Sequence, residues 1–268
     1  MRWMWLLVLA AVAAGSPGAA QQPSPTWTAT GKWNVEHADR QCLASRTFVA
    51  DGKSLVVVLA PTPASDAGHL WLLTEDARLS LDRVRIEAGG VAIKAEGFVM
   101  NGLTASKQRV WQTALQGEEM QRLWATGSLG LRGQDIVAAM SLPALNQVRP
   151  ALQRCIEGLL TEWGFPPETS RLATFAKPRG DVVTFVRAED YPAEAIRDNA
   201  SGTAEVMARV GADGRAANCR VLRSAGHAAL DATTCAILVR RVRFEPARDA
   251  SGKAVEAPFF TRISWRMQ

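Results

Sequence analysis

The stretch TAEVMARVGADGRAANCRVL, residues 203–222, decides how the C-terminal part of this chain folds. In its first eight residues Ala204, Val206, Ala208 and Val210 fall on one side and Glu205, Met207 and Arg209 on the other. That period of two predicts a half-buried strand. Asp213-Gly214 carries the chemistry of a tight hairpin, so residues 217–222 become the returning strand, closed by Ser224-Ala225-Gly226. Beyond it Leu230, Cys235, Ile237, Leu238 and Val242 recur at helical spacing. Asp231 in the first turn of that helix meets the positive end of its dipole. His227, beside the preceding turn, reads as a cap, because a general base needs an oriented partner within reach. Pro246, in the run Phe244-Glu245-Pro246-Ala247, stops the helix. A last strand then carries Phe259, Thr261, Ile263, Trp265 and Met267 on one face and Phe260, Arg262, Ser264 and Arg266 on the other.

Toward the N-terminus the pattern changes to a longer, mostly β domain with helix late, spanning residues 27–165. Residues 54–59 form a β-branched run after the turn signal Asp51-Gly52, and 70–73, 78–86 and 91–99 continue as sheet segments. In the third of these, Leu79, Leu81, Val84 and Ile86 need one irregularity to share a face. Helical spacing appears over 117–125, a strand returns at 129–131, and 142–163 repeats every three or four residues with Pro150 as a kink or break. Gly164-Phe165-Pro166-Pro167-Glu168 punctuates the end of this domain. Residues 166–185, with Pro178, Gly180 and little periodicity, read as a linker, and 186–268 form the second domain. The expectation is an α+β chain: a mostly-β domain, then a small ββαβ domain.

The first twenty residues have the layout of an export signal: Arg2, the apolar run from Leu6 to Ala14, then the small residues Gly18, Ala19 and Ala20, with cleavage before Gln21. The apolar run is shorter than the roughly 20 residues a membrane span needs, which argues for a cleaved leader over a retained anchor. Four cysteines in an exported chain suit disulfides, and four allow three connectivities. Cys42 with Cys155 and Cys219 with Cys235 is favoured, since each pair then lies within one candidate domain. Zinc is disfavoured, as neither C-x-x-C nor H-x-x-x-H occurs. The net charge of +5 is spread over arginines interleaved with Asp and Glu, which describes a mixed solvated surface and no nucleic-acid partner. No G-x-S-x-G, Walker, H-E-x-x-H or dinucleotide motif is present, and His37, His69 and His227 are scattered. No catalytic residue, cofactor or metal is therefore expected. Trp71, Trp111 and Trp124 read as core, with a sugar or peptide groove as the alternative.

Tyr191-Pro192 with Ala195, Gly202-Thr203, Asp213-Gly214-Arg215, Ser224-Ala225-Gly226, Leu230-Asp231, Arg243-Phe244-Glu245-Pro246-Ala247 and Gly252 stand in an order and spacing that resembles the TonB C-terminal domain family, over residues 190–268. The resemblance implies a protein-interaction module of the Gram-negative periplasm, not an enzyme. It implies a final strand at a sheet edge that accepts an extended segment of an outer-membrane transporter or other envelope protein. Partner contacts are then expected at Phe259, Thr261, Arg262, Ile263, Ser264, Trp265 and Arg266, with Arg262, Trp265 and Arg266 leading among the side chains. Members of that family carry a membrane anchor and a proline-rich spacer. Here a folded domain replaces the spacer, so energy transduction by this chain alone is not expected. Ala225 replaces the usual second serine of the turn, and Cys219 with Cys235 is an added staple. The alternative is an exported ligand- or cell-wall-binding protein that uses this module for docking, with peripheral membrane or wall contact and no oligomeric state implied. The first domain is similar in outline to invasion-associated locus B exported proteins, through Trp33, Cys42 and Cys155, and no function follows from that outline.

Overall fold

The computed structural model describes residues 26–38, 40–81, 83–94, 98–101 and 108–267, those of 98–101 by backbone alone. The expected leader lies outside the described residues. In the first domain the β-branched and apolar runs pair as antiparallel ladders: β1 (Thr28–Ala38), β2 (Gln41–Ala50), β3 (Lys53–Pro61) and β4 (Gly68–Thr74), then β5 (Arg85–Ala88), β6 (Val91–Ala92), β7 (Phe98–Asn101) and β8 (Arg109–Leu115). Helix α1 (Gly117–Thr126), strands β9 (Ser128–Arg132) and β10 (Val137–Ser141) and helix α2 (Leu145–Glu162) complete it. One sheet runs β1-β2-β3-β4-β8-β7 and a second β10-β9-β5-β6. Phe48, Leu55, Leu59, Leu70 and Trp111 of the first sheet share a core with Ile86, Leu129, Leu131 and Met140 of the second and with Leu123 of α1.

Three features of this domain depart from the sequence reading, the first being that the single segment expected at 91–99 is two strands in different sheets, β6 and β7, with 95–97 outside the described residues. Of the expected strand at 78–86 only Arg85 and Ile86 are in a ladder, as the start of β5, while Leu79 and Leu81, 0% and 1% exposed, fill the core from a loop. Burial of both leucines produced the alternation without pairing. Helix α2 starts at Leu145 and runs unbroken through Pro150. Pro150 lies near its start, where the missing N–H removes a single internal bond. Val148, Leu152, Ile156 and Leu159 pack with Cys42 and Ala44 of β2, and the Cys42–Cys155 disulfide fastens the helix to that strand.

The stretch 166–185, expected as a linker, is packed along its length: residues 167–171 lie against α2, and from Leu172 onward it joins the second core. Ala176 and Val182 join Val206, Val210 and Phe244, and β11 (Lys177–Pro178) pairs with a later two-residue strand. Short 3-10 turns at Pro167–Arg171, Val182–Phe185 and Ala188–Asp190 hold this stretch, and such turns repeat with neither the helical nor the strand period, so no periodic signal marks them. A short helix, α3 (Ala193–Arg197), leads into β12 (Gly202–Val210), β13 (Ala216–Arg223) and α4 (Ala228–Arg240). After these come β14 (Phe244–Glu245), which is the partner of β11, then β15 (Ala247–Arg248), β16 (Ala254–Val255) and β17 (Ala257–Trp265).

The sheet order of the second domain is β13-β12-β17. Ala204, Val206, Ala208 and Val210 meet Leu230, Ile237 and Leu238 of α4, as the alternation requires. Gly214 turns the β12–β13 hairpin at φ +74, where a Cβ would stand 2.3 Å from the Phe244 carbonyl oxygen, so glycine is demanded twice over. The Cys219–Cys235 disulfide staples β13 to α4. The opposite face of β12 was expected to be solvated. Met207 on that face is only 4% exposed, because Trp163 and Phe165 at the end of α2 cover it.

Candidate functional site

Strand β17 pairs with β12 over nine consecutive residues, from Gly202 opposite Trp265 to Val210 opposite Ala257, without irregularity. On its other side no strand follows among the described residues. The second edge of the sheet is different in kind. The β12–β13 ladder shifts register twice, between Glu205 and Val206 and between Met207 and Arg209, and Asn218 sits at φ 47. Bulges and charges, here Arg220 and Arg223, blunt an edge against pairing. One edge is closed by its own geometry and the other is straight and open.

The residues expected to contact a partner divide by face. Trp265 is 3% exposed; its indole Nε1 donates to Thr234 Oγ1 at 2.9 Å, and its ring meets Tyr191 edge-on at 5.5 Å. The Thr234 hydroxyl in turn donates to the Leu230 carbonyl, and the Tyr191 hydroxyl to the Ala200 carbonyl. Ile263 is also core, and Phe259 packs on Phe244 with ring centroids 4.9 Å apart. These residues and half-buried Thr261 present mainly backbone to the open edge. Arg262, Ser264 and Arg266 present side chains, with Ser264 Oγ sharing a hydrogen bond with Thr203 Oγ1 at 2.9 Å.

Beside the open strand lies a seam between the domains that the sequence did not announce. Phe260 of β17 packs on Trp163 at 5.2 Å between ring centroids. The Arg209 guanidinium stands 4.0 Å over the Phe165 ring, donates to the Gly164 carbonyl at 3.1 Å and pairs with Glu256. Arg40 reaches from the first domain to donate to the Leu222 carbonyl at 2.9 Å. His69 of β4 is held below the usual imidazole range, first by burial and then by the positive charge of Arg262, with Glu205 opposing. The signal that could have revealed this seam is the pair of large apolar residues, Met207 and Phe260, on a face read as solvated.

At the start of α4, Ser224, His227, Asp198 and Asp231 gather. The Ser224 hydroxyl and the Ala225 N–H both donate to Asp231, while His227 Nδ1 accepts from the Ala229 N–H and Nε2 faces Asp198 at 3.1 Å. A nucleophilic serine must donate to its imidazole. This one donates to a carboxylate, and the cluster caps the helix, as the sequence suggested for His227. Among the described residues no group of three or more His, Cys, Asp or Glu is placed to hold a metal.

The C-terminal domain is thus a three-stranded sheet backed by one helix, with one blunted edge and one edge that no described strand covers. Residues 187–267 match the family model of the Gram-negative bacterial TonB protein C-terminal, the family that these residues resemble in sequence. That family is an interaction domain of the bacterial envelope. No curated protein matches the chain. No helix among the described residues is long and apolar enough to cross a membrane.

Proposed function

We propose that this protein is a periplasmic TonB-like interaction protein, exported by its cleaved leader and accessory to transport across the outer membrane. It accepts an extended segment of an envelope protein along β17. The observation that carries this reading is the asymmetry of the sheet: β13 is bulged and stapled, whereas β17 pairs with β12 in unbroken register over nine residues, Pro258 near its start, and no described strand lies on its other side. Main-chain hydrogen bonds supply the affinity in strand addition, and alternate side chains supply selectivity.

Two proline variants and a crosslink test it. N–H groups of successive strand residues point to opposite edges, so of Ser264→Pro and Thr261→Pro one removes an outward donor and the other an inward one. The variant that keeps wild-type circular dichroism and unfolding midpoint is the outward one, and it should lose the partners that a photocrosslinker at exposed Arg266 captures in living cells. Undiminished capture by a folded proline variant refutes strand addition.

A further inference from the structure

Glu205 stands where the two domains meet, and three arginines surround it. Arg223 Nη2 donates to its carboxylate at 2.6 Å, Arg40 Nη1 of the first domain lies 4.0 Å away, and Arg262 is its cross-strand partner on β17. Residues directly opposite in an antiparallel pair share a face, so Arg262 projects toward the seam with Glu205 and not toward α4. Arg220, the partner of Met207 on β13, is exposed on the same face. Glu205 is therefore already committed to Arg223, and Arg262 forms no ion pair among the described residues. His69 of β4 also faces Arg262 and Glu205, and an imidazole, neutral or protonated, supplies no negative charge to balance the guanidinium. The middle of the open strand thus carries an exposed guanidinium in a local excess of positive charge, walled on one side by the first domain.

We infer that the segment accepted by β17 carries a carboxylate, Asp or Glu, at the position directly beside Arg262. The inference rests on the strand-addition reading. A residue in that position of an added strand lies on the seam face with its Cβ about 4.5–5.5 Å from that of Arg262, within reach of a guanidinium–carboxylate pair. A lysine or arginine in the same position meets the like charge of Arg262 directly and is disfavoured, so the position selects by repulsion as well as attraction. The first domain acquires a role in this arrangement, since Arg40 occupies Glu205 from the side and leaves Arg262 in need of a partner from outside.

The test uses the purified full chain and phage-displayed random short segments as probe. Wild-type protein should enrich Asp or Glu at one position, Arg262→Ala should lose that preference, and Arg262→Glu should turn it to Lys or Arg. A synthetic selected segment with Glu changed to Gln should bind wild type about threefold to fivefold more weakly, and Arg262→Ala with no further loss. Arg262 is exposed, so circular dichroism of both variants should match wild type. Segments that require β17, by their loss in the folded proline variant, but show no acidic preference overturn the carboxylate inference and leave strand addition standing. Segments indifferent to the proline variant, or no selected segment at all, overturn strand addition and the inference with it.

Discussion

Trp265 lies on the strand assigned to partner binding, yet its side chain points into the core, and that separation predicts how its variants behave. Trp265→Phe keeps an aromatic ring for Tyr191 to meet edge-on but removes the Nε1 donor to Thr234 Oγ1. The lost neutral hydrogen bond costs about 1 kcal/mol, and the missing part of the indole, at a site 3% exposed, about 1 kcal/mol more. Thr234 still donates to the Leu230 carbonyl, so its hydroxyl is not left wholly unpaired. The expected loss is about 2 kcal/mol for Trp265→Phe and about 3–5 kcal/mol for Trp265→Ala. Urea unfolding followed by far-UV circular dichroism measures both. Partner capture by the folded Phe variant should equal wild type, because the strand offers its backbone at this position. A cost below about 0.5 kcal/mol, or capture lost at unchanged stability, refutes the placement of the indole as a core group.

Replacing Cys219 and Cys235 together by Ala opens a loop of 16 residues and should cost about 3 kcal/mol in the chain-entropy model, read as a lower urea midpoint under non-reducing conditions. Asp190, 8% exposed in its side chain, binds Arg241 through both carboxylate oxygens at 2.5 and 2.6 Å, and these hydrogen bonds hold its pKa below the usual value. A depressed carboxylate stabilises above its unfolded pKa of about 3.9 and loses that contribution as pH falls through the folded value. Arg241→Ala should therefore lower the unfolding midpoint at neutral pH, and the difference from wild type should shrink in unfolding curves taken below about pH 4. Phe260→Ala removes the ring that rests on Trp163, and should raise amide hydrogen exchange of β17 and of the end of α2 together, since both bury one contact.

The second domain was legible because each of its elements carries its own local signal. Alternation over β12, Asp213-Gly214 at the hairpin and the helical spacing from Leu230 agree with the structure, whereas α4 ends at Arg240, with β14 between it and the Pro246 expected to stop it. The first domain was less so. β1 is an edge strand whose residues are nearly all exposed or half-exposed, and a strand without a buried face shows no alternation to read. Leu79 and Leu81 gave alternation without a strand, because a loop packed into a core also buries selected side chains. The open edge of β17 followed from the family likeness, whereas its blunted counterpart did not, since bulges at Asn218 and between Glu205 and Val206 depend on pairing and not on composition. The seam was hidden for a similar reason: Met207 among Glu205 and Arg209 reads as an isolated apolar residue until Trp163 is brought onto it.

An open edge on one side only also sets a limit on stoichiometry. A sheet with two open edges can add strands in both directions and grow without end, whereas this one has, among the described residues, a single straight unpaired edge. By the strand-addition reading one partner segment fills it, and a second copy of the chain could fill it only by engaging its own β17. Assembly through this sheet therefore terminates at two bodies, and two potential users of β17, whatever their identity, must exclude one another.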